Sequence, residues 1–280
     1  VIPDGRNEFM ANLAAAVARR NRAALAERTT LVRQAIKPLD AKALAATLEA
    51  LDPRSCDCAV IVATDDERVR KAVDAAARRG ILILTLVSDL PGSARRHFIG
   101  IDNIAAGRTA ASLMGRFCPP GKIGVIAGSL DLRDHRERLD GFRAVLAEEF
   151  PGREIVGPLE GRDDNATTQR QVAHMLAANP DLCGLYNAGA GNAGLLRALE
   201  QSGRAGRLRV VAHELTAPTR QGLATGVIDV VLDQNPDGEI RAAIAAARAL
   251  ALGRGGDVHP EPIEIGIFLR DNLRHEGSPK

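Results

Sequence analysis

Aromatic side chains are scarce in this 280-residue chain: tryptophan is absent, and one tyrosine and six phenylalanines make up 2% of the residues. The core must therefore come from Ala, Leu, Val and Ile, and a ring in a binding pocket becomes conspicuous. Cysteine is sparse as well. Cys56, Cys58, Cys118 and Cys183 form no C-x-x-C pair and have no histidine at ligand spacing, which argues against a metal site. Scattered thiols of this kind read as small core residues in a reducing compartment, so the cytoplasm is expected. Net charge is nearly missing too, since 37 basic against 35 acidic side chains leave +2. That is too little to mark a nucleic-acid surface, and Arg19, Arg20 and Arg22 read as the solvated face of an Ala-rich helix. No apolar run reaches membrane-spanning length and no signal-peptide pattern opens the chain. The first residue is Val1, and VIPDGRNEFM reads as the end of a strand, a turn and a helix capped by Asn7, so an upstream segment is expected.

What the chain has in abundance is alternation. Continuous apolar runs (TTLVRQAI, CAVIVA, ILILTLVS, HFIGID, KIGVIAG, REIVGPL, LCGLYN, LRVVAHE, DVVLDQ, IEIGIFL) are separated by segments with helical spacing such as AKALAATLEAL and ERVRKAVDAAARR. Runs without in-out alternation belong to parallel strands covered on both faces. Repeated βα units predict an α/β fold with doubly wound parallel sheets. Ten such runs and a partial strand at Val1–Ile2 are too many for one open sheet, so two lobes are expected, with the chain crossing by short strand-like segments.

One motif asks for a cofactor. In LYNAGAGNAGLL, residues Gly189, Gly191 and Gly194 fit G-x-G-x-x-G after a strand and before a helix, and Glu214 follows at the end of the next strand. This is the context of a dinucleotide site. A hydride-transferring enzyme also needs an acid such as a Tyr-Lys or His-Asp pair, and the only tyrosine, Tyr186, lies inside the preceding strand with no lysine nearby. Catalytic residues, cofactors and metals are therefore not expected, and an NAD(P)-dependent oxidoreductase is kept as an alternative.

Ligands of open α/β sheets bind outside the carboxyl ends of the strands. Those ends carry Asn7, Asp65, Ser88, Asp89, Asp102, Asn103, Ser129, Asp163, Asn187, His213, Glu214 and Gln234. Hydrogen-bonding types without an activated nucleophile point to recognition. Asn7, Asp65 and Asn103 also suit helix caps, and Ser129 and Asp163 suit turns. Arg138 either pairs with Asp134 at i, i+4 on the surface or turns inward, where its planar fork can hold two ligand oxygens.

Several phrases together resemble the ligand-binding core of LacI/GalR-type transcriptional regulators and the related periplasmic sugar-binding proteins: PDGRNEFMANL, FIGIDNIAAGRTAASLMGRF, HRERLDGF, VVAHELTAPTRQGLATGVID and VVLDQNPDGEI. The resemblance implies a type I periplasmic-binding-protein-like fold. Residues 1–102 with 235–263 would form an N-terminal lobe and 103–234 with 264–280 a C-terminal lobe, joined by three crossovers and with a ligand cleft between them. It also implies that Asn7 and Phe9 are first-loop contacts, that Arg138 is the cleft arginine, that Glu214 grips hydroxyls and that Gln234 is the hinge-side glutamine. Asp65, Ser88, Asp89, Asp163, Asn187 and His213 complete the expected ligand set. The chain departs from the family at Ala188, where a cleft Asn or Asp is usual and Asn187 stands one residue earlier. In TLVSD, Ser88 or Asp89 must replace the usual Asp, and only Phe9, Tyr186 and His213 offer rings for stacking. On this resemblance the chain is expected to bind a small sugar or polyol as the effector core of a regulator. It would be a homodimer that meets operator DNA only through an upstream helix-turn-helix and has no membrane contact. A periplasmic solute-binding protein of a sugar transporter is the alternative.

Overall fold

The computed structural model describes residues 1–4, 7–255, 258 and 262–273. Two compact units divide the chain. The first holds Val1–Asp102, Asp131–Asp134 and Gln234–Glu264, and the second holds Asn103–Leu130, His135–Asp233 and Ile265–Lys280. The excursion Asp131–Asp134 interrupts the unbroken 103–234 segment expected of the second lobe, and the Asp65 N–H donates to Asp131 O at 3.2 Å within the first unit.

In the first unit, β3 (Cys58–Ile61), β4 (Leu82–Leu86) and β5 (His97–Ile99) pair in parallel in that order. β1 (Ile2–Pro3) pairs in parallel with β2 (Ala35–Ile36), and a bond from Val62 N–H to Val1 O links it to β3. TTLVRQAI forms strand only at Ala35–Ile36, because an edge strand with one partner needs few residues in register. Helices α2 (Ala41–Glu49) and α3 (Glu67–Arg78) cover one apolar cluster, built around Leu44, Leu48, Ile61, Val73 and Ile83. Helices α1 (Glu8–Ala26) and α9 (Pro236–Ala251) cover the other, with Phe9, Leu13, Leu84, Leu86 and Ile240.

The second unit carries a six-stranded sheet in the order β11-β10-β9-β8-β6-β7. Its strands are β6 (Lys122–Ala127), β7 (Ile155–Glu160), β8 (Leu182–Asn187), β9 (Arg209–His213), β10 (Val230–Asp233) and β11 (Gly266–Phe268). All neighbours are parallel except β11, which runs antiparallel to β10. The expected doubly wound parallel sheet is present, and β11 adds an antiparallel edge to it: no crossover helix of this unit leads into β11, so nothing forces it parallel. Helices α4 (Asn103–Phe117) and α5 (Arg133–Glu149) bury one face with Met114, Phe142 and Tyr186. Helices α6 (Asn165–Ala178), α7 (Asn192–Gln201) and α8 (Ala217–Thr225) bury the other with Val172, Leu195 and Leu223. Both units are thus built on parallel strands, with β11 as an antiparallel edge, and carry helices on both faces, the doubly wound α/β arrangement. Among the described residues no helix is long and apolar enough to cross a membrane.

Candidate functional site

Backbone strain marks the carboxyl ends of the strands. Among the described residues seven non-glycine residues have positive φ, and most of them closely follow a strand end: Leu39 after β2, Val87 after β4, Arg162 and Asp163 after β7, Glu214 after β9 and Asn235 after β10. For β-branched Val87 (φ 66) this conformation is disfavoured and persists only when its surroundings enforce it. The enforcement is visible: the Val87 N–H donates to Ile99 O at 2.9 Å and the Ser88 N–H donates to Leu86 O at 2.7 Å, a γ-turn that bends the chain out of the sheet. Glu214 (φ 70) also holds a left-handed backbone after β9 in the second unit, donating its N–H to Leu232 O at 2.8 Å while its carbonyl accepts from the Thr216 N–H at 3.0 Å. Strain stored where side chains leave a sheet is a property of ligand sites more than of plain turns.

Among the described residues of the second unit, Arg138, Asn187 and His213 each bury a polar atom that meets no partner, as does Thr168 beneath Gly191. Arg138 is 2% exposed; its Nε donates to Asn103 Oδ1 at 2.9 Å and its Nη1 to Ala188 O at 2.9 Å, while Nη2 has no partner. The inward reading of Arg138 is therefore the observed one. Both bonds go to neutral oxygens of α4 and of the turn after β8, so the guanidinium is aimed but not neutralised. Asn187, fully buried, donates Nδ2 to Asn192 Oδ1 at 2.8 Å and to Ala190 O at 3.2 Å, which leaves Oδ1 open. His213 shares a 2.9 Å hydrogen bond between its Nε2 and the Tyr186 hydroxyl, and its Nδ1 is open. Burial, with Arg138 and then His135 nearby, pushes the His213 pKa well below the usual histidine range, so the ring is neutral. A donor, an acceptor and a neutral imidazole nitrogen are what a hydroxyl-rich ligand needs once removed from water. Glu214 (4% exposed) stands next to His213, with its carbonyl accepting from Thr219 Oγ1 at 2.6 Å.

Of the other expected residues, Asn7, Asp65 and Asp89 have their side-chain oxygens engaged. Asn7 caps α1, its Oδ1 accepting from the Phe9 and Met10 N–H groups at 3.0 and 3.2 Å. Phe9 is 4% exposed and belongs to the first unit's apolar core. Asp65 is held by Arg70 at 2.7 Å, and the cap of α3 is Asp66 rather than Asp65. Asp89 accepts from Thr85 Oγ1 at 2.6 Å and from Arg95 Nη2 at 2.6 Å, so of the pair at the end of TLVSD it is Ser88 that retains an open group: its hydroxyl is fully buried and unpartnered. Gln234 is 2% exposed in the first unit, one residue before the α9 cap Asn235. Tyr186 is no stacking platform: it is fully buried against Phe142, ring centroids 4.7 Å apart.

The glycine motif is explained by packing. A β-carbon at Gly194 would lie 1.9 Å from Asn165 O, one at Gly191 2.1 Å from Thr168 Oγ1, and one at Gly189 2.5 Å from Gly128 N. The glycines let α7 press on α6 and let the turn approach the end of β6. The Ala190 N–H, which a phosphate would require, already donates to Asp163 Oδ1 at 2.8 Å. A carboxylate in that place repels the pyrophosphate that would have to replace it. The cradle is filled by the chain itself.

Asn192 was not singled out from the sequence. It opens α7 after left-handed Gly191 and ties two strand ends together, accepting from Asn187 and donating to His213 O at 3.0 Å. Its only sequence signal is an asparagine inside a glycine-rich helix start. His135, also missed, fixes the end of β6, its Nδ1 accepting from the Ser129 N–H at 3.0 Å. Among the described residues no group of three or more His, Cys, Asp or Glu could hold a metal ion.

Known proteins repeat this architecture. An ABC transporter solute binding protein from Burkholderia graminis C4D1M, solved in complex with D-arabinose, is 25% identical with a TM-score of 0.86, over 97% of this chain and 94% of its own. Two from Agrobacterium vitis are each 21% identical over 97% of this chain and 94% of theirs. One is bound with alpha-D-tagatopyranose (TM-score 0.84) and the other with D-fucose (TM-score 0.85). No curated protein matches the chain. The similar structures named are binding proteins. The model of the periplasmic binding protein domain matches residues 1–255, and the chain belongs to that family.

Proposed function

We propose that this chain is a sugar-binding domain of the kind that serves an ABC transporter as its solute-binding protein. The observation that carries the reading is the set of buried, unpartnered polar atoms on Asn187 and His213, at strand ends of the second unit, and on Arg138 of α5, which reaches the turn after β8. Leaving such atoms unsatisfied costs roughly 1–3 kcal/mol each, and a ligand hydroxyl that pairs with them recovers that cost. Arg138 Nη2 donates to a ring or hydroxyl oxygen, Asn187 Oδ1 accepts from a hydroxyl, and His213 Nδ1 takes either role according to its tautomer. Glu214 adds a carboxylate suited to two vicinal hydroxyls.

The named solved relatives are transporter solute-binding proteins with pentose or hexose ligands, which supports the transporter reading over the effector core of a LacI-type regulator. The proposal accordingly contains no operator DNA and no obligate dimer. It places the domain outside the cytoplasmic membrane, whereas the cytoplasm goes with the regulator reading. Calorimetric titration with a panel of aldoses, ketoses and polyols tests the proposal. Binding of at least one monosaccharide is expected, with weaker binding by Glu214→Ala; a folded protein silent to the whole panel contradicts it.

A further inference from the structure

The cysteines carry no part of the proposed function, yet two of them meet. Cys118 follows α4 and Cys183 lies on β8; both are buried, free thiols. A regular strand would turn Cys183 away from Cys118. Instead, β8 carries an irregularity: Lys122 opposes Leu182 and the next residue, Ile123, opposes Gly184, so Cys183 is the extra residue of a bulge. The packing shows the effect. Leu182 and Leu185 belong to the core beneath α6 and α7, whereas Cys183 and Tyr186 belong to the core beneath α4 and α5. Gly184 faces that same side, where a β-carbon would lie 2.6 Å from Cys118 Sγ. Burial and then the neighbouring Cys183 hold the Cys118 thiol above its usual range, while the Cys183 thiol donates to Lys122 O at 3.2 Å.

We propose that Cys118 and Cys183 are a disulfide site, closed when the protein folds in an oxidising environment. In the reaction a thiolate of one cysteine attacks a low-molecular-weight disulfide and releases one thiol. The second cysteine then attacks the mixed disulfide and releases the other. The two protein thiols lose two protons and two electrons, and the oxidant leaves as two thiols. Burial pushes the Cys118 thiol up to about 12, so the folded chain presents little thiolate and the bond forms during folding. The closed loop of about 65 residues would join α4 to the central strand of the sheet and constrain the unfolded chain.

The test uses the full chain with Cys56→Ser and Cys58→Ser, which removes the competing thiols, refolded with oxidised and reduced glutathione. A peptide linked through Cys118 and Cys183, a mass 2 Da lower and a melting temperature higher by roughly 5 °C or more, reversed by reductant, are expected. Two thiols still alkylatable after refolding and denaturation, glutathione adducts in place of the cross-link, or an unchanged melting temperature would overturn the proposal. Comparing oxidised and reduced forms of one variant keeps the result independent of whether Cys118→Ala or Cys183→Ala folds.

Discussion

Gly194→Ala separates packing from phosphate binding as the reason for the glycine motif. The new β-carbon would sit 1.9 Å from Asn165 O, 2.8 Å from its carbonyl carbon and 3.0 Å from Gln169 N. All three are backbone atoms of α6, so no side chain can swing aside. An ordinary contact of 3.4 Å requires α7 and α6 to part by about 1.5 Å along that line. Alanine favours a helix over glycine by about 1 kcal/mol, while overpacking a rigid contact costs typically 1–3 kcal/mol or more. The cost sits at the upper end here because the clash is with main chain, which leaves a net loss of about 1–3 kcal/mol. At roughly 2–4 °C per kcal/mol for a unit of this size, melting should fall by about 2–12 °C. Gly152→Ala is the control, since a β-carbon there meets nothing within 4 Å, and it should leave stability unchanged or raise it by about 0.4–1 kcal/mol. Thermal unfolding of the three proteins, with and without NAD(H), decides the matter. A Gly194→Ala protein as stable as its parent, or a parent stabilised by NAD(H), would refute the packing argument.

Acid should weaken the protein through His213, whose pKa is depressed in the fold: unfolding lets the ring take up a proton, so stability is full above about pH 6.5 and declines as pH falls below it. His213→Gln should flatten that decline in melting temperature between about pH 6.5 and 5, and an equally steep profile would assign the acid sensitivity elsewhere. Asp66→Ala removes the carboxylate that caps α3 by accepting from the Arg68 N–H at 2.8 Å, with a cost of about 0.5–2 kcal/mol in urea unfolding at neutral pH. Its side chain is bonded to Arg68, which lowers its pKa to about 2, so the difference from the parent should vanish as pH falls from about 4 towards 2. Ser88→Ala deletes a buried hydroxyl without a partner and should leave the ligand-free protein as stable or more so; a loss above about 1 kcal/mol would mean that the hydroxyl is satisfied.

The strands were legible because parallel strands covered on both sides must be apolar throughout: LCGLYN and KIGVIAG are β8 and β6 almost residue for residue. The strand ends were legible for the same reason, since a polar residue after such a run marks where the sheet stops, and Asn187, His213 and Ser88 all lie there, whereas Arg138 comes from α5. What was not legible depends on geometry that no local pattern encodes. Val87 adopts a backbone region that valine disfavours, and only the bonds made around it impose that choice. Asp89 and Ser88 are adjacent polar residues of equal promise in sequence. Arg95 and Thr85, brought near by the fold, engage the first and not the second. The glycine triad satisfied a phosphate-binding pattern because a tight strand-to-helix turn has the same steric needs whether it faces a ligand or a neighbouring helix. The bulge that turns Cys183 towards Cys118 leaves no mark in LCGLYN.

The account rests on Arg138 being a ligand donor that the fold holds ready. Calorimetric titration of the parent and of Arg138→Met with the sugar that the parent binds tests this directly, with circular dichroism to show that both are folded. A charge-assisted hydrogen bond of about 1.5–3 kcal/mol predicts an affinity lower by roughly 10- to 150-fold in the variant. Equal affinity in the two folded proteins would contradict the site.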